Sequence, residues 1–179
     1  MAEDNGTTYN FDVCSQCKSI CCKDAKPPLT RNRKKILQTY LKKHNINVKN
    51  AFSTEDYTHP ATDEQLYCLL FNRDTGKCMV HPIKPETCVA GPVTFNINFC
   101  TKKVEWFLKT KELCTYAGVL YNNKFEFQEH FETAKKQIMG LIEQLSADEL
   151  QALMEIDEPQ TFKFCEEDLP KEVVKKLGL

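Results

Sequence analysis

The residues of this chain best suited to chemistry are its cysteines, of which there are ten among 179 residues. Four of them lie within nine residues in the pattern C-x2-C-x3-C-C, and three more follow at intervals of ten. Cysteines that only fill a core are scattered along a sequence, whereas thiolates that bind metal are clustered. The spacing therefore predicts a metal site, and its first candidate ligands are Cys14, Cys17, Cys21, Cys22, Cys68, Cys78 and Cys88.

The first cluster contains two kinds of spacing, and each predicts a different use. Cys14 and Cys17 are separated by two residues, so a tight turn can direct both sulfurs at one metal ion. Cys21 and Cys22 are adjacent, with Cα atoms about 3.8 Å apart, and neighbouring side chains diverge unless the backbone is distorted. Adjacent cysteines more easily bind two metals, or two irons of one cluster, than one ion. The sequence predicts two metal centres, or a centre plus a cluster.

A predicted β-hairpin places the next two cysteines. Residues 66–71 and 77–80 flank an Asn-Arg-Asp-Thr-Gly segment, which has the composition of a turn. The turn would bring Cys68 on the first arm close to Cys78 on the second.

The segment after the hairpin supplies the remaining candidates. Pro82 and Pro85 restrict the backbone, and we expect them to direct the chain so that Cys88 lies near Cys68 and Cys78. Seven cysteines are one short of two complete sets of four ligands. The eighth ligand would be His81 or Cys114, whereas a bound water or substrate would leave an open catalytic position.

These motifs, taken in order, resemble the CxxCxxCC-type zinc- or iron-chelating cysteine-cluster family. The resemblance rests on the first cluster, on C-L-L-F at 68–71 and on G-K-C-M-V-H-P-I-K-P-E-T-C at 76–88, and it covers residues 14–92. Family members are often described as Fe–S oxidoreductase-like, and the flagellin lysine methylases carry a related cluster. The resemblance also implies a late ligand downstream of the proline segment, for which Cys114 is the match.

Three positions depart from the usual family pattern. The first cluster has one extra residue before Cys21, which alters its local geometry. Lys84 stands where arginine is commoner, so a bidentate contact with a carboxylate or phosphate is disfavoured there. His81 occupies a position that is often aromatic, which favours a histidine beside the centre over a histidine ligand.

The spacing does not choose between zinc and a [4Fe–4S] cluster, because both take four thiolates. The chain begins without a basic segment leading into an apolar one, so we expect a reducing, cytoplasmic location in which disulfides are disfavoured. A formal net charge of −1 offers no overall excess of positive charge, and no apolar stretch approaches the length of a membrane span. We therefore expect neither a nucleic-acid nor a membrane partner.

The helices and strands predicted to position these residues indicate an α+β fold. We expect a small cysteine-rich metal-binding core with a β-hairpin, completed by C-terminal amphipathic helices. The predicted divisions are a flexible N-terminus at 1–13, a metal-binding domain at 14–125, and a helical extension at 126–179 packed on the same core.

Hydrophobic periodicity and capping residues locate the individual elements. A stripe with steps of three and four residues predicts a long helix at 126–145. Residues 45–60 are polar and asparagine-rich and are expected to form a loop, and His59 and His130 are expected to be solvated. The remaining expectations are helices at 30–44, 86–89, 146–154 and 169–177, strands at 93–99 and 162–164, and a strand or short helix at 104–108.

The predicted function is coordination of zinc or an iron–sulfur cluster by clustered thiolates, with no catalytic residue identified. The alternatives are an Fe–S-dependent redox or modifying enzyme, of oxidoreductase or methylase type, and a protein of metal storage or delivery. The sequence contains no nucleophile elbow, phosphate-binding loop, dinucleotide fingerprint or H-E-x-x-H motif. Cys100 and Cys165 are expected to be ordinary thiols without a metal.

Overall fold

A computed structural model describes residue 13, residues 21–156 and residues 160–179 of the chain. The candidate ligands Cys14 and Cys17, and all but the last residue of the predicted flexible N-terminus, lie outside the described residues.

The described residues combine helices with small antiparallel sheets, which confirms the α+β prediction. The helices are α1 (Arg31–Lys43), α2 (Glu86–Ala90), α3 (Thr115–Asn122), α4 (Lys124–Gln144), α5 (Ala147–Met154) and α6 (Lys171–Lys176). The strands are β1 (Phe52–Thr54), β2 (Thr58–Pro60), β3 (Phe71–Asn72), β4 (Lys77–Cys78), β5 (Val93–Asn98), β6 (Lys103–Lys109) and β7 (Thr161–Asp168). They form the hairpins β1–β2 and β3–β4 and the sheet β5-β6-β7.

The larger core lies between the three-stranded sheet and the long helix α4. Alternate residues of β6 are buried, and Trp106 at its centre has no exposed surface. The ring of Phe131 on α4 meets the Trp106 ring edge-on, with centroids 5.4 Å apart. The predicted apolar stripe of α4 is confirmed, because its later members Ala134, Ile138 and Leu141 are all fully buried.

A second, smaller core lies under α1 and the two hairpins. Thr30 caps α1, its hydroxyl accepting a hydrogen bond from the backbone N–H of Arg33. Leu37 and Leu41, one turn apart on α1, are buried against the hairpin residues. The buried members of this core are Leu29, Leu37, Leu41, Ala51, Leu70 and Val80, and Cys68 and Cys78 pack against them.

Two strand predictions in the first half are corrected by the structure. Residues 45–60 were expected to be a loop, but they contain β1 and β2, which pair with each other. The hairpin predicted at 66–71 and 77–80 keeps only two residues in each strand. It is short because the residues before β3 form bridges elsewhere, from Tyr67 to Lys23 and from Cys68 to Thr62.

The two histidines expected to be solvated are instead buried, so that prediction is wrong for both. A ring nitrogen of His59 lies 2.8 Å from the carbonyl oxygen of Pro60, and its ring meets that of Tyr57. Nε2 of His130 lies 2.9 Å from the carbonyl oxygen of Ala90, at the end of α2. Each imidazole is buried because a backbone carbonyl satisfies one of its nitrogens.

Most helix and strand predictions in the second half are confirmed, but the strand expected at 162–164 extends over Thr161–Asp168, and α3 was not predicted. Residues 104–108, left open between strand and helix, belong to β6. Ser146 and Glu149 form the capping box that begins α5. Within the described ranges, no helix is long and apolar enough to cross a membrane.

The burial of α4 gives a direct test of the larger core. Ile138 is fully buried on α4, so Ile138→Ala should lower the free energy of unfolding by about 3 kcal/mol through lost burial and a cavity. The same truncation at Ile36, which is 39% exposed on α1, should cost less than about 1 kcal/mol. Urea unfolding of both variants measures the difference, and equal losses would show that α4 does not pack as described.

Candidate metal centre

The end of the first cysteine cluster lies antiparallel to the residues that precede β3. The backbone N–H of Cys68 donates to the carbonyl oxygen of Cys22 at 2.8 Å, and that of Asp24 donates to Leu66 at 2.9 Å. Lys23 and Tyr67 form a β-bridge between these two bonds. This pairing places the backbones of Cys22 and Cys68 side by side, although 46 positions separate them in the sequence.

Cys68 and Cys78 are held in the same local geometry. In each case the sulfur accepts a hydrogen bond from the backbone N–H two residues later, which belongs to Leu70 or to Val80. Leu70 and Val80 are both buried in the smaller core, and the N–H of Met79 donates to the carbonyl oxygen of Leu70 at 2.8 Å. The turns at residues 68–70 and 78–80 are therefore anchored to each other and to the core beneath them.

The thiol of Cys88 on α2 belongs to the same group. Burial raises the pKa of Cys88 well above its usual value, and the nearby Cys21, Cys78 and Cys68 raise this pKa as well. Burial also raises the pKa of Cys68 to about 11, with Cys78 and Cys21 acting in the same direction. These thiols therefore lie within electrostatic range of one another.

The adjacent thiols of Cys21 and Cys22 interact directly with each other. The thiol of Cys22 donates a hydrogen bond to the sulfur of Cys21, which lowers the pKa of Cys21 to about 6, and Lys84 and Lys109 also lower it. The same bond, together with burial, raises the pKa of Cys22. Cys21 is exposed whereas Cys22 is partly buried, so the more acidic thiol is the more accessible one.

The gathered thiols match a thiophilic metal in their chemistry, but they are not closed around one point. Backbone N–H donors and the ammonium of Lys84 stabilise thiolates here, and thiolates are the ligating form. No group of three or more Cys, His, Asp or Glu side chains in residues 21–156 and 160–179 lies close enough together to hold a metal ion. The donor types therefore fit a metal, and coordination would draw the thiols closer together.

The two candidates for the eighth ligand lie in different surroundings. His81 begins a short 3-10 turn, His81–Ile83, three residues after Cys78, and burial and Lys84 lower its pKa to about 4. Its imidazole is therefore neutral at physiological pH. Cys114 immediately precedes α3 and packs against the larger core, whereas Cys68 and Cys78 pack against the smaller one.

The two cysteines that sequence analysis set aside are on the sheet side of the molecule. Cys100 is exposed in the turn after β5, and Cys165 is partly buried on β7 opposite Trp106. Burial raises the pKa of the Cys165 thiol.

A buried polar network secures the segment between Cys78 and Cys88, and sequence analysis missed it. The Arg33 guanidinium donates to the carbonyl oxygen of Ile83 at 3.5 Å and to the side chain of Gln137 on α4 at 2.8 Å. Nε of Arg33 lies 3.6 Å from a carboxylate oxygen of Glu86, and the Thr30 hydroxyl donates to the same oxygen at 2.7 Å. The network thus connects α1, α2 and α4 around the base of the cysteine group.

A known protein family matches the part of the chain that contains these cysteines. Residues 13–115 match the family CxxCxxCC, whose description is "Putative zinc- or iron-chelating domain". The chain belongs to this family. The matched range confirms the resemblance seen in the sequence and extends it as far as Cys114.

No curated protein and no solved structure matches the chain. In this chain the CxxCxxCC range contains the smaller core, α1, α2 and the strands β1 to β6. The β7 strand lies beyond it but completes the sheet against β6, so the C-terminal residues fold onto the CxxCxxCC domain.

The Arg33 network makes a testable contribution to the CxxCxxCC fold. Arg33→Ala would leave the buried Glu86 carboxylate without its ion partner, and should lower the free energy of unfolding by about 2 kcal/mol. Arg31→Ala, two residues earlier on the exposed side of α1, is the matched control and should change it by less than about 0.5 kcal/mol. Urea unfolding measures both. Equal stability of the two variants would contradict the proposed role of the network.

Proposed function

We propose that this protein binds zinc or an iron–sulfur cluster through the clustered cysteine thiolates, in a centre that is at least partly structural. One observation carries the proposal, which is that three separate segments bring five thiols within electrostatic range of one another. Those thiols belong to Cys21, Cys22, Cys68, Cys78 and Cys88. Cys14 and Cys17 would complete the cysteine ligands, and His81 or Cys114 would be the eighth.

The charge of such a site supports a metal over a group of free thiols. Seven thiolates would change the formal net charge from −1 to −8, whereas two Zn²⁺ ions would return it to −4. Without a cation, burial raises the pKa values of Cys68, Cys78 and Cys88, and the neighbouring thiols raise them further. A bound cation reverses this effect and favours the thiolates.

The position of the cysteines supports a structural role. Cys22 adjoins the segment before β3, Cys78 ends the β3–β4 hairpin, and Cys88 lies on α2. Metal bonds among these segments would link the smaller core to α2, which packs against α4. Because metal binding that requires the folded arrangement contributes to folding, metal removal should destabilise the protein. We further propose a cytoplasmic location, because thiolates that bind metal must stay reduced.

Metal analysis of protein purified without oxygen tests the proposal first. Stoichiometric iron with acid-labile sulfide and a brown colour would establish a cluster, whereas colourless protein with stoichiometric zinc would establish a zinc site. Mass spectrometry and a sulfide assay distinguish the two. Protein that carries neither metal, and acquires neither after anaerobic reconstitution, would refute the proposed function.

Single substitutions then test which cysteines hold the metal. Cys78→Ser should lose most of the bound metal because the removed thiolate is near those of Cys22, Cys68 and Cys88, and Cys165→Ser on β7 should lose none. Cys21→Ser and Cys22→Ser should each lose metal, to different extents if they belong to different centres. Metal per chain, measured after gel filtration, is the readout for all four variants. Equal metal content in Cys78→Ser and Cys165→Ser would place the centre elsewhere.

A further inference from the structure

The charge of this chain is strongly segregated along its sequence. Residues 25–54 contain eight Lys and Arg and no Asp or Glu. The other 149 residues hold the remaining sixteen Lys and Arg together with all twenty-five Asp and Glu. The net charge of −1 therefore conceals a segment of +8 joined to a remainder of −9.

The fold displays this positive segment along the outer face of α1. On an α-helix, residues at positions i, i+4 and i+11 lie within about 40° of one another around the axis. Arg31, Lys35 and Lys42 have this spacing, and all three are exposed over about 16 Å of helix. Lys43 at the end of α1 and Lys49 in the turn that follows are also exposed. We call these five residues the α1 basic surface.

Among the described residues, the α1 basic surface has no acidic partner. In the described part of the chain, none of its five side chains forms an ion pair with a carboxylate; the ion pairs there use other cations. On the sheet, by contrast, Lys163 pairs with Glu105 at 2.9 Å, and Lys135 pairs with Glu167 at 2.7 Å. These sheet lysines are paired with carboxylates, whereas no described carboxylate compensates the α1 basic surface.

We propose that the α1 basic surface binds the phosphate backbone of a nucleic acid. Regularly spaced cations along one helix face neutralise phosphates and release their counterions, which drives such binding. The uncharged side chains of Asn32, Gln38 and Thr39 are exposed among the cations and can donate hydrogen bonds to phosphate oxygens.

The surroundings of the surface favour nucleic acid over the other anionic partners. The apolar side of α1, with Leu37 and Leu41, is buried in the smaller core and has nothing to insert into lipid. Ile36 is the one well-exposed large apolar residue of α1 in the described residues, and the partly buried Tyr40 stacks on His44 with ring centroids 4.1 Å apart, so this face offers little apolar area to a protein partner. The expectation of no nucleic-acid partner rested on net charge alone, which averages over the two regions.

The test measures binding of fluorescein-labelled oligonucleotides by anisotropy, with a duplex DNA and a single-stranded RNA, each of about 20 nucleotides per strand. The metal-loaded protein as purified should bind at least one of them below about 100 µM at low salt, with affinity falling steeply as salt rises. Lys35→Glu/Lys42→Glu should weaken this binding at least tenfold. The matched control Lys111→Glu/Lys136→Glu reverses two exposed lysines elsewhere, giving the same net charge, and should weaken it less than threefold.

Each outcome supports or overturns the proposal. Binding that is lost in the α1 double variant and kept in the control supports it, and the preferred oligonucleotide identifies DNA or RNA. The absence of binding to both oligonucleotides overturns it, as does equal weakening in both double variants. Binding to vesicles of phosphatidylserine or to polyglutamate, without binding to the oligonucleotides, also overturns it. Metal content measured on the same samples keeps this result separate from that of the metal centre.

Discussion

The structure of the candidate metal centre depends on one piece of antiparallel pairing, between the end of the first cysteine cluster and the segment before β3. The hydrogen bond from the Cys68 N–H to the Cys22 carbonyl is the point at which the two halves of the family motif meet. Because this pairing uses backbone groups, the cysteine side chains remain available for other bonds. The smaller core beneath then fixes Cys78, through the buried neighbours of the hairpin.

The same arrangement explains why polar interactions hold α2 in place. If Cys88 is a ligand of the proposed centre, it must be held at a fixed position relative to the other cysteines. Arg33 reaches both the segment before α2 and the first residue of α2, while His130 contacts the carbonyl oxygen at the end of α2. Both ends of this five-residue helix are therefore tied to longer helices, which a short helix requires because it is not stable alone.

Sequence patterns predicted the elements whose stability is local, and missed the contacts between distant segments. The periodicity of its apolar residues was sufficient to predict α4, and the capping box at Ser146 was sufficient to predict α5. Each signal depends on residues three or four positions apart. The pairing of Cys22 with Cys68 and the contact of Arg33 with Glu86 join residues about fifty positions apart, and no spacing rule encodes them. The family was predictable because its cysteine spacing is distinctive, whereas the choice of metal and the ligand status of every candidate residue remain predictions.

X-ray absorption at the metal edge, on protein purified without oxygen, tests the central claim most directly because it identifies the atoms bound to the metal. Zinc should show sulfur neighbours at about 2.3 Å, and an iron–sulfur cluster should show sulfur neighbours together with a second iron. A metal surrounded only by nitrogen and oxygen atoms would contradict the claim that these cysteines form the centre.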